Sequence, residues 1–190
     1  MLQKLSLFIC LLLLLSSCWW DESQTLISQD LDSGLELFVE SDFSIAIPRS
    51  WTNIADTSWL LPNPHTGKIE LAARSDETLA GLANNILVLS DTLRAGVWAE
   101  DFLTFNEQNL SQYYYRYTLL DKKQIEYSDT VGWTLLRFEA KYNKSTPNIQ
   151  FLQATRVCPN NKAYTITIAL PSVERESEKY QDIIQTFSCL

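Results

Sequence analysis

The chain has 190 residues, 46% of them hydrophobic and 20% charged, which fits one folded domain with an extension and excludes a disordered, collagen-like or disulfide-dense chain. Fifteen Lys and Arg against 23 Asp and Glu leave a net charge of -8, which repels phosphate backbones and counts against nucleic acid as a partner. Five Gly and one His provide little for phosphate-cradling loops or for imidazole-based acid/base and metal clusters, so no cofactor or metal is expected.

Met1 to Ser17 reads as a targeting segment. Lys4 supplies a positive start, and Leu5 to Leu15 is an apolar run broken only by Ser6. Eleven helical residues reach about 16 Å, too short for a ~30 Å hydrocarbon core. The next residues, Leu15-Ser16-Ser17-Cys18, resemble the bacterial lipobox: an aliphatic residue, two small residues, then the Cys that is acylated. The resemblance implies cleavage before Cys18, a thioether-linked diacylglycerol on its sulfur and, in many bacteria, a further acyl chain such as palmitate on the new amino terminus. Two or three chains anchor stably where one is marginal. The membrane is then a partner through Cys18, and the protein is expected in the bacterial cell envelope, facing the periplasm or the exterior. An ordinary secretory signal with an incidental Cys18 is the alternative. Residues 19–48 carry seven acids and no base, so this stretch cannot lie on an anionic leaflet. The organisation read from the chain is a signal peptide at 1–17, an acidic tether at 18–34 and a globular domain at 35–190.

In the globular part, Leu35 to Val39 and Phe43 to Ile47 are β-prone runs joined by Glu40-Ser41-Asp42. Phe43, Ile45 and Ile47 share one face, which predicts a half-buried strand. Pro48 stops it, and Trp51 is expected to plug a sheet edge. Residues 62–67 form a loop, and Ile69 to Ala73 resume a strand. Ser75 to Asn84 reads as irregular or weakly helical. Ile86 to Leu89 is too continuously apolar for a surface strand and is expected inside the sheet. Between Val97 and Tyr113 the period changes to that of a helix, with Trp98, Phe102, Phe105, Asn109 and Tyr113 on one stripe. Four strand-like segments follow, Tyr115 to Tyr127, Gly132 to Tyr142, Ile149 to Cys158 and Ala163 to Leu170. Short polar turns separate them, so they should form an antiparallel meander. A closing helix is expected to carry Val173, Tyr180, Ile183 and Phe187 on one stripe. The fold class is α+β, an antiparallel β-sheet with helices packed on it.

Cys10 lies in the targeting segment and Cys18 at the anchor, which leaves Cys158 and Cys189. The last strand runs about 25 Å out and the closing helix about 22 Å back, so Cys189 should return to the turn that Cys158 precedes. In an oxidising compartment the two are expected to be joined; free thiols in a reducing host are the alternative. No Cys-x-x-Cys spacing points to a redox pair.

Little in the chain points to catalysis. His65 has no acid within four residues on either side and reads as a solvated loop residue. Neither Gly-x-Ser-x-Gly nor His-Glu-x-x-His occurs, and Asp76-Glu77 and Glu174 to Glu178 read as solvated faces without the spacing of a Ca²⁺ loop. The most unusual local feature is Tyr113-Tyr114-Tyr115-Arg116-Tyr117. If it continues as a strand, alternate rings face opposite sides, with one set buried and the other free. Tyr113, Tyr115, Arg116 and Tyr117 are therefore candidate interface residues, although helix cover on both faces explains the pattern equally well.

The order of elements also resembles the PsbP-like family (the Mog, PsbP and DcrB type). The matching pieces are Phe43 to Trp51 with its strand-Pro-x-x-Trp pattern, Asn85 to Leu89, Val131-Gly132-Trp133, and Ala163 to Thr167 followed by Tyr180 to Phe187. The likeness spans residues 36–188. It implies an antiparallel sheet sandwiched by helices and a binding or assembly module without catalytic activity, acting on an unidentified protein partner. No His cluster here supports carrying over metal sites. The alternatives are a small-molecule or hydrophobic-ligand binding protein, with a cleft between helix and sheet, and a hydrolase using His65.

Overall fold

The computed structural model describes residues 34–55, 64, 66–127, 130–174 and 177–190, so Cys18, the acidic segment before Gly34, and His65 lie outside the described residues. Glu36–Leu190 form one compact unit.

Two sheets are built from ten strands among the described residues. The larger has seven, in the order β3 (Trp51–Asn53), β4 (Lys68–Leu79), β5 (Leu82–Thr92), β9 (Lys162–Pro171), β8 (Ile149–Val157), β7 (Thr130–Lys141) and β6 (Tyr115–Tyr127). All its neighbours are antiparallel. The smaller has the order β1 (Leu35–Val39), β2 (Phe43–Pro48) and β10 (Ser188–Cys189), with β10 antiparallel to β2. Two helices complete the described fold, α1 (Ala99–Tyr113) and α2 (Ser177–Gln185). The fold is thus α+β, and its last four large strands run as the expected meander, β6 to β9. The apolar Ile86-to-Leu89 run lies in β5, between β4 and β9, as its composition requires.

Three readings are corrected. Ser75 to Asn84 is not irregular but the tip of the β4–β5 hairpin, where Thr78 faces Ala83 and Leu79 faces Leu82. Ala80 and Gly81 make the corner with φ of 52° and 80°, the left-handed pair that matches strand twist in a two-residue turn. Alanine does not advertise that geometry as asparagine would, and a register shift between Arg74 and Thr78 breaks the period of two. Second, β2 is buried on both faces, not one, because Ser44 and Ala46 are also covered. At the edge of this strand the Ala46 N–H donates to Thr186 Oγ1, just after α2, at 2.8 Å. Third, α2 buries Ser177, Tyr180, Ile183 and Ile184, while Val173 lies outside the helix and exposed.

Side chains at paired positions of neighbouring strands share a face. Leu136, Phe138, Phe151 and Ala169 cluster with Leu110 of α1, and Phe138 stacks on Phe151 at 5.0 Å. Phe43 of β2, Tyr164 of β9 and Phe187 after α2 form a second aromatic group, with centroids 5.1 to 5.4 Å apart. Trp133 meets Phe187 edge-on, and Arg156 lies 5.0 Å over the Trp133 ring while donating to the Phe187 carbonyl.

Cys158 and Cys189 are joined, with Cα atoms 5.8 Å apart. The bond fixes the short strand β10 to the end of β8 and closes a 31-residue interval. Chain reversal through β9 and α2 brings the two together, as the element lengths predict.

Candidate functional site

The helix α1 begins after Trp98, whose backbone is extended and whose side chain makes no cap; Glu100 and Asp101 in the first turn complement the helix dipole. It ends where Tyr114 turns extended, at φ -117° and ψ 139°. The predicted stripe faces the sheet only in part. Trp98 and Phe105 are 72% and 59% exposed and Phe102, Asn109 and Tyr113 half-buried, whereas Leu110, off the stripe, is buried and Asn106 half-buried. The sheet sets this rotation. Where α1 crosses β8 and β9 the sheet presents Thr155 and Thr165, which face each other across the two strands. Asn106 Nδ2 donates to both hydroxyls, at 2.8 and 3.1 Å, and the hydroxyls lie 3.3 Å apart. An aromatic ring in place of Asn106 would leave these two buried hydroxyls short of a partner.

A cavity of about 300 Å³ opens beside this contact, between α1 and strands β6, β7 and β8. Its floor holds Gln153 and Thr155, both over nine-tenths buried. Gln153 Oε1 accepts from Thr167 at 3.3 Å. Gln124 and Thr134 form a further wall, joined at 3.0 Å, with Leu103 and Leu136 as apolar surface. At the rim Lys122 on β6 donates to both carboxylate oxygens of Glu107 on α1, at 2.9 and 2.8 Å, and ties helix to edge strand. Tyr117 lies on this side of the sheet, and burial, then the Glu107 charge, raise its phenol above the usual tyrosine range.

The partners of the hydroxyls here are amides and other hydroxyls, groups that do not take up a proton at neutral pH. The arrangement suits holding a polar molecule.

The Tyr-rich run resolves differently from a simple alternation. Tyr113 ends the helix, and Arg116 has φ 55°, a left-handed residue that breaks the strand period. Tyr114 and Tyr117, three apart, pack on Phe138 at 5.3 and 5.1 Å, while Tyr115 and Arg116 are exposed together, the guanidinium 5.7 Å from the ring centre. Tyr113 and Tyr117 are half-buried. Burial also raises the Tyr114 phenol far above its usual range.

A second polar group lies where the small sheet meets the large one. Lys162 of β9 forms a close ion pair with Asp42, and the Glu70 carboxylate on β4 takes Ser90 at 2.6 Å and Lys68 at 2.8 Å. The Lys162 hydrogen bond holds Asp42 below the usual carboxylate range. For Glu70, burial opposes ionisation, but bonds from Lys68 and Ser90 outweigh it, and its carboxyl also sits low.

Sequence reasoning missed Asn106, Gln153, Thr155 and Thr165. A signal existed: Gln153-x-Thr155 in β8 and Thr165-x-Thr167 in β9 put polar residues at period two inside otherwise apolar strands. Polar residues at such interior positions need partners from a covering element.

No family model matches the chain, and no curated protein does. Among solved structures, a Pseudomonas aeruginosa protein of unknown function, suggested to be a regulator, aligns over 80% of this chain and 94% of its own, at 10% identity and a TM-score of 0.52. A protein from Bacteroides thetaiotaomicron aligns over 78% of this chain and 45% of its own, at 11% identity and a TM-score of 0.46. The first likeness is one of fold alone.

Proposed function

We propose that this chain is a non-catalytic binding module, held outside the cytoplasm of a bacterium by acyl chains on Cys18, and that its ligand site is the cleft under α1. The observation that carries the binding role is a cavity of about 300 Å³, at the low end of the range for small-molecule sites, with the buried polar side chains of Gln153 and Thr155 in its lining. The lipobox-like Leu15-Ser16-Ser17-Cys18 supports the anchor, and the Cys158–Cys189 bond suits an oxidising compartment. We read the architecture as a PsbP-like sheet sandwiched by helices. In its favour, α1 meets Thr155 and Thr165, whereas Phe187, at the end of α2, meets Arg156 and Tyr164, the residues that alternate with them.

A second reading, docking of a protein partner, has one observation behind it, the exposed Tyr115–Arg116 pair. Intact-mass analysis of the native protein tests the anchor: the expected result is a chain starting at Cys18 with a diacylglyceryl thioether, and an unmodified amino terminus overturns it. In-cell crosslinking separates the binding readings. If a protein is captured by the native chain and lost from Tyr115→Ala/Arg116→Ala, the docking surface is the functional one and the cleft is not.

A further inference from the structure

We infer that the cleft under α1 takes a neutral sugar unit, an inference that rests on the binding reading above and names its ligand class. The floor and wall are made of carboxamides and hydroxyls, from Gln153, Asn106, Thr155, Gln124 and Thr134. Such groups donate and accept from the same small area, which is what a ring of hydroxyl groups needs and what a simple anion, cation or hydrocarbon does not. An anion is disfavoured because the cation lining the cavity, Lys122, is held by both oxygens of Glu107, and Glu100 adds a further negative charge. A fatty chain is disfavoured because it would lie against the polar side chains of Gln153 and Thr155, both over nine-tenths buried, without hydrogen-bonding to them. Leu103 and Leu136 give the C–H face of a pyranose an apolar surface to lie on. A cavity of about 300 Å³ has room for one sugar ring and not for a folded partner.

The test is NMR of the full-length, ¹⁵N-labelled protein in detergent micelles, titrated separately with glucose, N-acetylglucosamine, diglycine, inorganic phosphate and decanoate. Shifts of the Gln153 and Asn106 side-chain amides with one or both sugars are expected, with a Kd on the order of 1 mM. Gln153→Leu should raise that Kd about tenfold, consistent with one lost hydrogen bond; Gln153→Glu, which keeps the size, serves if the leucine variant does not fold. If diglycine, phosphate or decanoate moves these amides and neither sugar does, the sugar inference fails while the cleft remains a binding site. If none of the five probes moves them, the cleft reading fails and takes the inference with it.

Discussion

Asp42 shows how a single side chain ties two sheets together, through Lys162, and Glu70 how one joins neighbouring strands of the same sheet. Both carboxyls are held below their ordinary values of 3.8 and 4.5. A carboxyl with a lowered folded-state pKa contributes stability that is present above the unfolded value and is lost as pH falls through the folded one. The urea midpoint should therefore hold steady from neutrality to about pH 5 and then decline on further acidification. Asp91 works the other way, since burial raises its carboxyl against the bond from Thr66, so it softens the decline without creating it. Asp42→Asn should lower the midpoint at pH 7 and flatten the drop below pH 5; an unchanged acid slope would show that the Lys162 pair does not link the sheets in solution. Nothing local in the sequence announces this pair, because Asp42 and Lys162 stand 120 positions apart.

Elements carry two further predictions. In α1 the face that packs is set by the sheet beneath it and not by the run of aromatics, so truncations on the two faces should differ. Leu110→Ala should cost about 2–5 kcal/mol, as for other buried leucines, while Phe105→Ser should stay within about 0.5 kcal/mol, as at exposed sites. Equal losses from both, measured by urea unfolding, would mean that the helix is rotated from the orientation described. In the β4–β5 corner, Ala80 holds φ 52° ahead of Gly81 at φ 80°. Asparagine tolerates that region better, so Ala80→Asn should raise stability by roughly 0.5–1 kcal/mol. A lower melting temperature for this variant would count against the tight two-residue turn. Gly67 needs its missing side chain for a different reason: a Cβ there would sit 2.6 Å from the Ser90 carbonyl oxygen.

For the molecule as a whole, the Cys158–Cys189 bond ties the chain end into the aromatic group around Phe43, Tyr164 and Phe187. In the chain-entropy model, closing its 31-residue interval is worth about 3–4 kcal/mol. Reduction with dithiothreitol, or Cys189→Ser, should lower stability by about that amount, and an unchanged melt under reducing conditions would deny the bond a structural role. The meander, the interior β5, the disulfide and the α+β class were legible in the sequence because each rests on local signals: period, turn chemistry, element length and cysteine count. The burial of both faces of β2, the rotation of α1 and the three-residue spacing of Tyr114 and Tyr117 were decided only by the tertiary structure. Each depends on what lies against it: the segment after α2 beside β2, bonded through Thr186 and stacked through Phe187, the paired hydroxyls of Thr155 and Thr165 under Asn106, the Phe138 ring beneath the tyrosines. A period in the sequence says that a face is apolar, but a buried hydrogen bond that must be satisfied outweighs it in choosing which face turns inward.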